Sequence, residues 1–138
     1  MTDLFFSAAV FLCLDQWSKR LVEVHVGDRP IEWRLGLRLT CVRSARPIYR
    51  HHLVPGFFAL VWLAALGSVL VLYRSGHGFQ SRAALVALGA AFGGAAGNLL
   101  DILRLRAVSD FIDFRWWPAF NLADALIIGG LIIAFSLP

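Results

Sequence analysis

The chain has 138 residues, room for a single domain over 1–138. Hydrophobic residues make up 59% and charged residues only 16%, which excludes an ordinary soluble domain and points to an integral membrane protein. The net charge of +4 is uneven: Lys19, Arg20, Arg29, Arg34, Arg38, Arg43, Arg46 and Arg50 crowd into one third of the chain, where neighbouring spans make lipid headgroups the expected partner and not nucleic acid.

Four stretches come close to the roughly 20 apolar residues that cross a bilayer: 4–22, 53–73, 83–103 and 119–137. The first lacks the basic start of a signal peptide and carries Asp15 and Lys19. Its "VFLC" loosely resembles a lipoprotein cleavage box, but bulky Leu12 precedes Cys13, so an uncleaved helix is expected. Cys13 lies in an apolar run and Cys41 in a polar one, and both are expected as free thiols. In "EWRLGLRLTCV", Trp33, Leu35, Leu37, Leu39 and Cys41 alternate with Arg34, Gly36, Arg38, Thr40 and Val42. That period of two predicts a half-buried strand, part of a small sheet on the membrane surface between helices one and two.

The second helix has no ionisable group before Tyr73 and reads as scaffold, followed by the short connection 74–82. In the third, Gly89, Gly93 and Gly97 recur every four residues, a spacing that lets helix backbones approach closely in lipid. Asp101 follows on the same face and is expected to point into the bundle. Asp110 and Asp113 are placed on a loop, and Asn121 and Asp124 open the last apolar run.

Counting crossings puts the ends of helices one and three and the start of helix four at one membrane face. Asp15, Ser18, Lys19, Asn98, Asp101, Asp110, Asn121 and Asp124 therefore converge. Asp15 and Lys19, four apart, can pair. Asn98 with Asp101, and Asn121 with Asp124, are three apart and can each face the interior. Ionisable groups within spans are costly and face a bundle interior or a wet cavity. For Asp15, Lys19 and Asp101 a satisfied structural contact explains them as well as chemistry does. For Asp110 with Asp124 chemistry is the stronger reading. Two adjacent carboxylates cannot both ionise easily, so a shared proton leaves one to activate water and the other to protonate a carbonyl or leaving amine.

The blocks "LDQWSK" (14–19), "GGAAGNLLD" (93–101), "VSDF" (108–111) and "PAFNLAD" (118–124) resemble the lipoprotein signal peptidase, or signal peptidase II, family in order and in placement on helices. The resemblance implies four transmembrane helices with a small surface sheet, the cradle. It also implies an aspartyl endopeptidase that removes the signal peptide of prolipoproteins just before a diacylglyceryl-modified cysteine. Asp110 and Asp124 then match the catalytic pair, and Asp15, Asn98 and Asn121 match site-lining positions; Lys19 and Asp101 are counted with them. The expected partners are that prolipoprotein and membrane lipid, with no cofactor and no metal. The chain is expected as a monomer, multi-pass in the bacterial inner membrane.

Three departures mark a divergent member, one being that the loop from Asp110 to Asp124 is short for the family. Ile102 stands where the family has an arginine after its helix-three aspartate, and "VRSARPIYR" (42–50) lacks the family's asparagine and glycine. The family places the dyad at the outer face, although eleven of thirteen Lys and Arg residues lie on that side, against Arg74 and Arg82 on the other. The alternatives are a catalytically weak or inactive member that binds lipopeptide, and a small proton-coupled transporter. A transporter site would lie nearer the midplane. His51–His52 lacks a third metal ligand nearby and reads as interfacial.

Overall fold

The computed structural model describes residues 1–26, 31–32, 38–44 and 53–137. In chain order these form α1 (Thr2–His25), β1 (Ile31–Glu32), β2 (Arg38–Ser44), α2 (Val54–Arg74), α3 (Arg82–Leu105), β3 (Val108–Asp113) and α4 (Leu122–Ser136). Residues 33–37 of the expected strand, most of the 42–50 segment, and His51–His52 lie outside the described residues.

The glycines of α3 set the packing. A Cβ on Gly89 would run into Ser7 Oγ, one on Gly93 would sit 2.5 Å from the Ala8 carbonyl oxygen, and one on Gly97 would run into Asp15 Oδ2. Backbone therefore lies against backbone at Gly89 and Gly93, and against the Asp15 side chain at Gly97, as small residues every fourth position permit. The two helices run parallel: Arg82 meets Asp3 at 3.1 Å near their starts, and Lys19 meets Asp101 at 2.9 Å near their ends. On its other side α3 takes α4 antiparallel, with Gly94 against Ala123 and Gly130 against Ala87 and Ala91. α3 is thus the buried centre of the bundle.

α2 packs less closely. Trp62 Nε1 donates to the Phe92 carbonyl at 3.1 Å, and the two rings meet edge to face. Phe57, Leu60, Leu63 and Val71 remain exposed along α2, a surface suited to lipid.

α2 and α3 are long and apolar enough to cross a bilayer. α1 has the length but also the charged groups described below. α4 is apolar but has 15 residues, about 22 Å at 1.5 Å per residue. The sequence expectation of a helix over 119–137 is corrected here: residues before Leu122 are used in strand pairing and in capping the helix.

The sheet also differs from the expectation. It is antiparallel in the order β1-β2-β3, so its third strand comes from between α3 and α4. Arg106, left-handed at φ 53, ends α3 with its N–H on the Ile102 carbonyl and turns the chain straight into β3. The β2–β3 register slips between Leu39 and Val42, a β-bulge. Asp110 and Asp113 are therefore strand residues, not loop residues. An odd separation along a strand sends side chains to opposite faces.

Gly93→Leu should separate α1 from α3 and destabilise the protein by about 1–3 kcal/mol, the range for overpacking. Gly67→Ala, with no neighbour within 4 Å, should be neutral or slightly stabilising. Thermal unfolding of the two variants in one detergent compares them directly.

Candidate active site

The polar groups of α1 are held before any cavity is considered. Asp15, fully buried, and Lys19, nearly so, pair at 2.8 Å across one turn. The Lys19 ammonium also contacts Asp101 Oδ2 at 2.9 Å and donates to Asn98 Oδ1 at 2.9 Å, which uses all three of its N–H bonds. Asp15 Oδ1 accepts the Ala123 N–H at 3.0 Å and so ties α1 to the start of α4. Asp101 Oδ2 accepts the Ser109 N–H at 3.3 Å and ties α3 to β3. Gln16, which sequence reasoning passed over, donates to Asp15 Oδ2, to the Gly97 carbonyl and to Asp101 Oδ1. Removing one partner of such a buried ion pair typically costs about 3–5 kcal/mol.

β3 and the chain after it bring in the remaining groups. Past Asp113 the chain turns through Arg115, left-handed at φ 64, whose N–H is accepted by Asp113 Oδ1 at 2.7 Å. Asp113 thus shapes an Asx-type turn. Arg115 Nη2 reaches Glu32 at 2.7 Å on the exposed side of the sheet. The returning chain pairs at Phe120, which exchanges N–H to O bonds with Ile112 at 2.9 and 3.0 Å. That bridge delivers Asn121 beside Asp110.

Asn121 begins α4 through a capping box: its Oδ1 accepts the Asp124 N–H at 3.0 Å, and Asp124 Oδ2 accepts the Asn121 N–H at 3.2 Å. An acid in the first turn also faces the positive end of the helix dipole. Asp124 therefore stands in the one turn of an apolar helix where a carboxylate has backbone partners.

Two amides join the carboxylates. Asn121 Nδ2 donates to Asp110 Oδ1 at 2.9 Å and to Asn98 Oδ1 at 3.1 Å, and Asn98 Nδ2 donates to Asp124 Oδ1 at 2.9 Å. The seven expected site residues, Asp15, Lys19, Asn98, Asp101, Asp110, Asn121 and Asp124, thus belong to one network of hydrogen bonds and ion pairs, while Ser18 Oγ donates to the Asp15 backbone carbonyl at 2.8 Å. Asp113 faces away from it.

Asn98, Asp110 and Asp124 form the polar end of a cavity of about 720 Å³. Its walls are apolar: Val61 and Trp62 of α2, Leu88 and Phe92 of α3, and Leu131 and Phe135 of α4. Buried Ile102 also lines it. The arrangement can hold a long apolar group along the helices and present its polar end to two carboxylates. Among the described residues no group of three His, Cys, Asp or Glu is placed to hold a metal ion.

Residues 7–137 match the family described as Signal peptidase (SPase) II. A lipoprotein signal peptidase of Nitratidesulfovibrio vulgaris is 35% identical over 141 residues, covering 93% of this chain and 84% of that protein. One from Rhodococcus jostii is 35% identical over 140 residues, covering 94% and 69%. One from Geobacter sulfurreducens is 46% identical over 81 residues, 56% of this chain, and there the chain spans 50% of the relative's length. A bacterial membrane enzyme solved by the in meso method has the same fold, with a TM-score of 0.76 at 23% identity, over 99% of this chain and 92% of that one.

Asn121→Ala removes the cap of α4 together with the amide that joins Asp110 to Asn98. It should destabilise the protein by at least the ~0.5–2 kcal/mol typical of a lost cap. Asn121→Ser keeps a capping oxygen and should recover part of that loss in thermal unfolding.

Proposed function

This chain belongs to the signal peptidase II family, and from that membership we propose that it is an aspartyl endopeptidase acting on diacylglyceryl-modified prolipoproteins, with Asp110 and Asp124 as its catalytic pair. The carrying observation is that both carboxylates stand at the polar end of an apolar cavity, held through Asn121 and Asn98. The acyl chains would lie between α2, α3 and α4, with the scissile bond at the two acids.

One carboxylate is charged and accepts a proton from water as the water oxygen attacks the scissile carbonyl carbon. The other is neutral and gives its proton to the carbonyl oxygen, leaving a tetrahedral diol. Collapse of the diol breaks the C–N bond. The proton taken from water goes to the leaving amine, the amino group of the lipid-modified cysteine, and a diol hydroxyl returns a proton to the other carboxylate. Each acid ends as it began.

Asp15, Lys19 and Asp101 act in this reading as a support that fixes Asn98 and the start of α4. Ile102 supplies an apolar wall where the family has an arginine, which favours a substrate grip different from the usual one. The acids gather at one end of the helices, which disfavours a transporter. We further infer one multi-pass domain, 1–138, monomeric in the bacterial inner membrane, in contact with lipid and not nucleic acid. All four helices cross, and the dyad faces outward.

Purified protein incubated with a diacylglyceryl-modified prolipoprotein should release the shortened lipoprotein. Asp110→Asn and Asp124→Asn should each lower the rate by at least ~100-fold, and the double variant should be barely worse than either, since residues acting as a unit are not additive. Asp113→Asn keeps the oxygen that shapes its turn and should retain most activity. A modest loss at Asp110, or a dead Asp113→Asn, would sink the scheme.

The orientation places the 74–82 connection and both termini in the cytoplasm. A cysteine at Ser75, with Cys13 and Cys41 replaced by serine, should resist an impermeant thiol reagent added to intact cells. Efficient labelling would reverse the orientation.

A further inference from the structure

The Lys19 ammonium meets three acceptors: Asp15 at 2.8 Å, Asp101 at 2.9 Å and the Asn98 amide oxygen at 2.9 Å. Two carboxylates alone would compensate its charge. The third N–H goes to a neutral amide, and that amide's other end carries the hydrogen bond to Asp124.

An amide has two ends that differ only in which one donates. An ammonium can only donate, so it faces the oxygen. With Asn98 Oδ1 turned to Lys19, Nδ2 is directed at Asp124 Oδ1, 2.9 Å away. The reversed amide would set NH₂ against the ammonium and an oxygen against a carboxylate. Asn121 Nδ2 reaches the same oxygen at 3.1 Å, but it is neutral and also serves Asp110. A charge-assisted bond is shorter and stronger.

We propose that Lys19 is a positioning residue for the peptidase reaction: it sets the sense of the Asn98 amide, and through that amide it holds the Asp124 carboxylate in place. This inference rests on the aspartyl reading given above. Among the described residues, the charged groups joined to the amide and its partners are Asp15 and Lys19 on α1, Asp101 on α3, Asp110 on β3 and Asp124 on α4.

A double-mutant cycle on cleavage of the lipid-modified prolipoprotein tests it. Lys19→Met should lower kcat by about 10²-fold, the scale of a misplaced reacting group, with little change in KM. In an Asn98→Ala background the same change should cost no more than about twofold, because residues acting through one another do not add. An equal loss in both backgrounds overturns the proposal. Should Lys19→Met not fold, Asp15→Asn/Lys19→Met/Asp101→Asn replaces the ionic cluster by a neutral one of similar shape. It should show the same loss, and wild-type kcat in that variant overturns the proposal.

A second readout needs no cleavage. With isotope-labelled asparagine, the side-chain amide signal of Asn98, assigned by its absence in Asn98→Ala, should shift in both Lys19→Met and Asp124→Asn. A signal unmoved by Lys19→Met in folded protein overturns the proposal. Wild-type protein that does not cleave overturns the endopeptidase reading instead, and leaves this measurement to decide the role of Lys19.

Discussion

At Gly89, Gly93 and Gly97 the backbone of α3 comes so near α1 that a methyl group would not fit at any of the three. That approach fixes the separation of the two helices from Leu4 to Asp15 of α1, and the polar groups depend on it. The last of these glycines lies directly against the Asp15 carboxylate, one turn before Asp101. Only at this spacing can a single lysine from α1 touch acids on both helices and still reach Asn98. In apolar surroundings an unpaired charge is expensive, so the cluster and the close packing support one another.

The remaining groups come by a different route. β3 leaves α3 after a left-handed residue, and the chain returns through the Ile112–Phe120 bridge to start α4. Four elements, α1, α3, β3 and α4, thus meet at one point. Side chains hold them together both through one another, as in Lys19 to Asp101 and Asn98 to Asp124, and through backbone across elements, as in Asp15 to Ala123, Asp101 to Ser109 and Gln16 to Gly97. The sheet is small, yet it places Asp110 and Asp113 on opposite faces, one toward the cavity and one toward the turn.

Much of this could be read in the sequence where a period or a spacing carried it. The glycine repeat gave the packing of α3, and the four-residue step from Asp15 to Lys19 gave their pair. Crossing parity gave the convergence of the polar residues. What could not be read had no period. "VSDFID" carries two acids in six residues and looks like a loop, and its strand character comes from pairing with β2, far away in the chain. Gln16 is a lone polar residue whose partners lie on another helix. The start of α4 was legible in principle, because Asn-Leu-Ala-Asp is a capping-box pattern. The apolar residues at 119 and 120 mask it by extending the hydrophobic run.

The capping box gives the Asp124 carboxylate a property that matters beyond helix stability. One of its oxygens is bound to the backbone N–H of Asn121, so the side chain is immobilised by the same event that nucleates α4. In the proposed chemistry its orientational entropy is then lost at folding and not at each turnover, which is the sense in which a site is preorganised. The helix start and the reacting group share atoms, so evolutionary drift in one is constrained by the other. A substitution that frays the first turn of α4 would loosen the acid before it melted the protein.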